Sequence, residues 1–304
     1  MNKLLLLFTG VFLVACQSAD NSAQAEPPAE PPAAAKAAPA VEDISLAALL
    51  DAQPDEVKAR YQYRHPQETL EFFGIEPGMT IVEGLPGRGW YTKVLLPYLG
   101  SEGHLVGANY PLDLWPNFPF ANEEFMAEMS QWLEKWPADA EEWRGDNGAS
   151  IGAFWFGAMP EEMAGTADAV FFARILHNVA RFQDEGKANY LDMALADAFN
   201  ALKPGGIFGI VQHHARDDMP DDWANGANGY LKKQFVIDQV VAAGFELVAE
   251  SDMNANDNDQ PTTDDFVWRL PPTFATSRED EELKATYIAI GESNRMTLKF
   301  RKPE

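Results

Sequence analysis

Residues 80–90 read Thr80-Ile81-Val82-Glu83-Gly84-Leu85-Pro86-Gly87-Arg88-Gly89-Trp90. The apolar run predicts a short strand over 80–83, the Gly/Pro cluster a tight turn, and residues 90–99 a helix. Glycines at such a turn let backbone approach a ligand closely, and the helix that follows presents free N–H groups. A single turn of this kind also serves as an ordinary strand-to-helix connection, so its meaning depends on its surroundings.

Working outward, the chain alternates between strand and helix. Strands are expected at 104–109, 150–156, 169–173, 207–212, 245–249 and 296–300. Helices are expected at 122–136, 187–202 and 231–243, the last stopped by Gly244, with Lys203-Pro204-Gly205-Gly206 as a turn. Upstream, 44–63 reads as an amphipathic helix with Asp43 or Ser45 as a cap. His65-Pro66 breaks it, and a short helix over 67–73 ends at Gly74. Strand–helix alternation implies an α/β fold: a Rossmann-like, doubly wound, mostly parallel sheet with helices on both faces, preceded by N-terminal helices. Ligands of such sheets sit beyond the carboxyl ends of the strands, where strand order reverses.

The order of the acidic strand end, glycine turn, helix and strand, then Asp168-Ala169-Val170-Phe171-Phe172 and Leu202-Lys203-Pro204-Gly205-Gly206, resembles the class I S-adenosylmethionine-dependent methyltransferases over about residues 78–249. Further segments resemble a group of exported methyltransferase-like proteins. They are Arg64-His65-Pro66, Glu68-Thr69-Leu70, Pro86-Gly87-Arg88-Gly89-Trp90-Tyr91-Thr92, His177-Asn178, Met253-Asn254-Ala255-Asn256 and Ile290-Gly291-Glu292-Ser293-Asn294-Arg295-Met296-Thr297-Leu298-Lys299-Phe300. The resemblance implies seven strands with the last one antiparallel, and S-adenosylmethionine as cofactor. It places Glu83, Gly84, Pro86, Gly87 and Gly89 at the methionine end of that cofactor. Two positions depart from the family: Leu85 replaces a turn glycine, and Asn109 stands where an acidic residue would hold the ribose. Asp113 is a second candidate for that contact.

A base assists transfer where the acceptor carries a proton. By expected location the candidates are His177 and Asn178 past the fourth strand and His213 past the fifth, with His214 beside it. His65 would reach over the site from the N-terminal helices. For each histidine a structural role competes, and no carboxylate–histidine spacing supports a metal site. Residues 252–259 resemble the start of a calcium loop but lack its glycine and closing glutamate, so they read as a polar surface loop. Trp132, Trp136 and Trp143 read as core and lid packing, and Glu292 with Arg295 as a buried ion pair.

The ends and the charge bound the setting. Met1-Asn2-Lys3 followed by an apolar stretch to Ala15 reads as a signal peptide, too short to span a bilayer. It ends in Leu13-Val14-Ala15-Cys16, which resembles a lipobox. Cys16, the chain's one cysteine, is then the lipidation site. Gln17 in place of aspartate points to the outer membrane, with the protein in the periplasm. Residues 17–41, of Ala, Pro, Glu, Ser and Gln, read as a disordered tether, leaving 42–304 as one methyltransferase-like domain. A net charge of −24 disfavours a nucleic-acid substrate. The expected acceptor is therefore a small molecule or an envelope component. An exported enzyme stands apart from the cytoplasmic supply of its cofactor, which keeps a non-catalytic ligand-binding or interaction lipoprotein as the alternative.

Overall fold

The computed structural model describes residues 45–304; the stretches read as signal peptide and tether, with Cys16, lie outside them. The N-terminal helical stretch is not continuous. Pro54 divides it into α1 (Leu46–Asp51) and α2 (Asp55–Lys58), and α3 (Tyr61–Arg64) stops at His65, whose φ is 39°. Proline's missing N–H and fixed φ explain the first break. Then come α4 (Pro66–Phe73), ended by Gly74 at φ 75°, β1 (Thr80–Gly84), α5 (Thr92–Leu99) and β2 (His104–Asn109). The helix expected over 122–136 is two: α6 (Glu123–Ser130), capped by Asn122 accepting from the Phe125 N–H, and α7 (Trp132–Arg144).

The second half holds β3 (Ser150–Trp155), β4 (Ala167–Ala173), α8 (Leu176–Asp184), α9 (Tyr190–Ala201), β5 (Leu202–His213), α10 (Lys233–Ala242), β6 (Glu246–Ser251), α11 (Glu281–Ile290) and β7 (Arg295–Arg301). Two helices go beyond the sequence reading. Helix α8 buries Leu176, Val179 and Ala180 at helical spacing. Helix α11 starts where Asp280 accepts from the Leu283 N–H. The expected turn at 203–206 lies within β5, which pairs with β4 from Leu202 onward across a bulge between Ala167 and Ala169.

Among the described residues the strands form one sheet in the order β3-β2-β1-β4-β5-β7-β6. Pairs among β1 to β5 are parallel, and β7 is inserted antiparallel between β5 and β6. This is the Rossmann-like, mostly parallel seven-stranded sheet with one antiparallel strand that the resemblance implies. Strand order reverses between β1 and β4, which is where such sheets open a crevice. Apolar side chains cover both faces. On one, Phe73, Leu95, Leu105, Trp132 and Trp136 pack together; on the other, Phe172, Leu195, Phe208, Leu298 and Phe300. Each such fully buried side chain contributes about 2 kcal/mol.

The Asn-rich segment after β6 runs over the surface as expected, with Asp252, Ala255, Asp257 and Asn258 exposed, but it turns Asn254 and Asp259 inward. Asn254 is 2% exposed and donates to the hydroxyls of Thr69 and Thr297, tying α4 to β7. Asn256 donates to the Ile290 and Glu292 carbonyls, and Asp259 pairs with buried Arg269. The inward side chains are polar because they link α4, β7 and the neighbouring backbone, where buried donors need partners.

Candidate active site

A cavity of about 570 Å³ opens at the carboxyl ends of β1, β4 and β5. That is a usual size for a small-molecule site, where volumes run roughly 300–1,000 Å³. Its floor is the turn Leu85–Arg88, with Ala173 ending β4, Arg174, His177 and Asn178 after it, and His213 ending β5. The N-terminal helices add Arg60 and Arg64, β7 adds Arg295, and Trp268 and Pro271 wall the far side.

The turn glycines divide by what surrounds them. A Cβ on Gly84 would stand 2.5 Å from Phe172, and one on Gly89 (φ 76°) would clash with the edge of the Trp143 ring. Both are glycine because core aromatics occupy the space. Gly87 (φ 56°) differs: a Cβ there meets only the Leu85 carbonyl oxygen, at 3.8 Å, and the residue lines the cavity. Leu85 takes a left-handed conformation without being glycine (φ 48°), as does Arg174 (φ 62°), and both line the cavity. Strained backbone of this kind persists where surrounding structure enforces it, often at ligand sites.

Of the residues expected from sequence, Pro86, Gly87, His177, Asn178 and His213 come together on the cavity wall. Glu83, Gly84, Gly89, Asn109 and His65 do not line it. Glu83 is buried under the turn and accepts from the Thr92 hydroxyl at 2.7 Å; burial pushes its carboxyl up to about 7 despite that bond. The Asn109 side-chain amide oxygen accepts from the N–H of its own neighbour Tyr110 at 2.7 Å. Tyr110, 1% exposed, then donates its hydroxyl to the Ile175 carbonyl and accepts from the Asn178 amide, bridging the ends of β2 and β4. His65 sits at the α3–α4 junction, and its neighbour Arg64 takes the place expected of it.

The histidine pair is neutral. Burial holds His177 at about 4 and, with His177 beside it, lowers His213 well below the usual imidazole range. The rings lie 5.5 Å apart, and His213 Nδ1 is 2.6 Å from the Ser293 hydroxyl. His214, expected at the same rim, points elsewhere and does not line the cavity. No group of three or more His, Cys, Asp or Glu among the described residues is placed to hold a metal ion.

The sequence reading did not find the cations. Arg60, Arg64, Arg88, Lys93, Arg174 and Arg295 all line the cavity, and no carboxylate does. Glu292, behind the wall, pairs with Arg60, Arg64 and Arg295; burial opposes its charge, yet the guanidinium groups hold it down at about 2. The one available signal was Arg174, a charged residue directly after an apolar strand.

No protein-family model matches this chain, and no curated protein matches its sequence. Solved structures do resemble it in fold. Geranyl diphosphate C-methyltransferase from Streptomyces coelicolor A3(2) is 15% identical over 84% of this chain and 87% of its own, with a TM-score of 0.48. An S-adenosylmethionine-dependent methyltransferase from Mesorhizobium loti is 15% identical over 83% and 100%, at 0.42. Another from Aquifex aeolicus is 17% identical over 66% and 92%, at 0.42.

Proposed function

We propose that this chain is an S-adenosylmethionine-dependent methyltransferase acting on a small acceptor in the cell envelope. The observation that carries the reading is the cavity itself. It lies at the β1–β4 switch point of a methyltransferase-fold sheet, floored by a turn whose Gly87 leaves backbone open to a ligand. The residues fit the amino-acid half of the cofactor, which Leu85–Arg88 would hold. On the nucleoside side Tyr110 already fills the space between β2 and β4, so that half needs Tyr110 to shift or a path around it. When bound, the cofactor supplies an electrophilic methyl group for in-line displacement. The chain's own task is to position the acceptor, exclude water and, at His213, take its proton.

Calorimetric titration with S-adenosylmethionine and S-adenosylhomocysteine tests this, with micromolar binding expected and its loss in Gly87→Val. If the folded protein binds neither, the cavity serves another ligand and the alternative of a non-catalytic binding protein takes over.

The sequence signals at residues 1–41 support export and lipid attachment at Cys16 to the outer membrane. Cys16→Ser should move the protein from the membrane to the soluble fraction on centrifugation; unchanged partitioning would refute the anchor.

A further inference from the structure

The protein is strongly acidic, at −24, yet its cavity is lined by six cationic side chains and no carboxylate. Three of them, Arg60, Arg64 and Arg295, share the single carboxylate of Glu292. For the other three, Arg88, Lys93 and Arg174, no hydrogen-bond or ion-pair partner of the side chain is found among the described residues; Lys93 stacks on Trp143, 4.6 Å from the ring centre. Arg174 is the most telling. Its backbone is held left-handed, at φ 62°, with its N–H donating to the Val211 carbonyl, and its side chain lines the cavity among Arg60, Arg64 and Arg295.

Arginine does not shed its proton in a protein, so this crowding is paid in repulsion until an anion arrives. A recess lined by one sign of charge also focuses the field and concentrates counter-ions of the opposite sign.

From this charge and geometry we propose that the cavity takes a phosphate monoester, its phosphate held by Arg174 with Arg64 and Arg88 and its organic part against Trp90 and Trp268. Phosphate rather than carboxylate follows from number and direction. A phosphomonoester brings roughly −1.5 to −2 charge near pH 7 and three acceptor oxygens, where a carboxylate brings one charge in one plane. The donors reach the cavity from three separate elements, the end of β4, the N-terminal helices and the β1 turn, and guanidinium forks suit phosphate oxygens. The His177 ring lies on the same wall. The chain's overall net charge of −24 disfavours a polyanion such as nucleic acid.

That the phosphorylated molecule is the methyl acceptor rests on the proposed function; that the cavity holds a phosphate does not. The test uses the full chain carrying Cys16→Ser to keep it in solution. Inorganic phosphate and phenyl phosphate are titrated calorimetrically, with succinate as the carboxylate comparison and S-adenosylhomocysteine as a separate titrant. The expected result is that phenyl phosphate binds more tightly than phosphate, and both more tightly than succinate. Arg174→Gln should weaken both phosphates roughly ten- to hundredfold. If Arg174→Gln fails to fold, the exposed pair Arg88→Gln and Lys93→Gln should still weaken them several-fold. Phosphate affinity unchanged in these variants, or succinate binding as tightly as phosphate, overturns the proposal. Phosphate binding without S-adenosylhomocysteine binding upholds it and overturns the methyltransferase reading instead.

Discussion

The side-chain amide of Gln212 donates both to the Gly229 carbonyl, at 3.2 Å, and to Nδ1 of His177, at 3.4 Å. The carbonyl contact sets which way the amide faces, so Nδ1 of His177 is an acceptor and its proton sits on Nε2. His177 therefore presents an N–H to a ligand and is a poor base. His213 meets a hydroxyl, Ser293, that serves either tautomer, so its outer nitrogen can take either role. Nitrogen-15 NMR of the imidazoles should show His177 as the Nε2–H tautomer, neutral down to about pH 4. An Nδ1–H signal would remove this distinction between the two histidines.

The same burial gives His177 a sign in stability. Its folded pKa, about 4, lies below the ordinary 6.5, so between those values the unfolded chain binds the proton preferentially. Stability from this group is whole above pH 6.5 and is lost as pH falls towards 4, by at most about 3 kcal/mol. Urea unfolding of His177→Gln should show a shallower fall between pH 7 and 4.5 than the wild type.

Glu83 works in the opposite direction. Its carboxyl is raised from 4.5 to about 7 by burial, so the folded chain holds the proton and stability is lost as pH rises through 7. Glu83→Gln keeps an acceptor for the Thr92 hydroxyl and removes the charge. It should stabilise the protein by on the order of 2 kcal/mol at pH 8 and little at pH 4.5. Equal effects at both values would mean that Glu83 ionises freely.

Glu292 is the counter-charge for three arginines. Glu292→Gln should destabilise the protein by about 3–5 kcal/mol in urea, because it leaves buried guanidinium groups without a partner. Its own pKa, about 2, is depressed from 4.5, so its contribution is present above pH 4.5 and lost as pH falls towards 2. A change below 1 kcal/mol would place those charges in better contact with water than their burial indicates.

Gly87 and Gly89 separate packing from ligand binding. Gly89→Ala should unfold the protein at lower urea, because its methyl would meet the Trp143 ring at 2.4 Å, and Trp143→Leu should recover part of the loss. Gly87→Ala meets only backbone strain, about 1 kcal/mol, so its larger effect should appear in cofactor affinity. The reverse ranking would exchange the roles assigned to the two glycines.

What the sequence determined by itself was the ladder of strands and helices and the edge at which ligands collect. Strand β2 runs over the residues read for it, because alternation and the residues closing a strand are local signals. The places of His177, Asn178, His213 and the 86–87 turn were legible for the same reason: each lies within a few residues of the end of a recognisable strand. Which turn glycine faces the ligand was not legible, since Phe172 and Trp143, which crowd Gly84 and Gly89, arrive from β4 and α7. Nor was the basic cavity. Arg60, Arg64, Arg88, Arg174 and Arg295 have no common spacing, and only the order in which parallel strands close the sheet brings them to one recess. Local periodicity is written in neighbouring residues, whereas the meeting of distant charges is set by strand order and register.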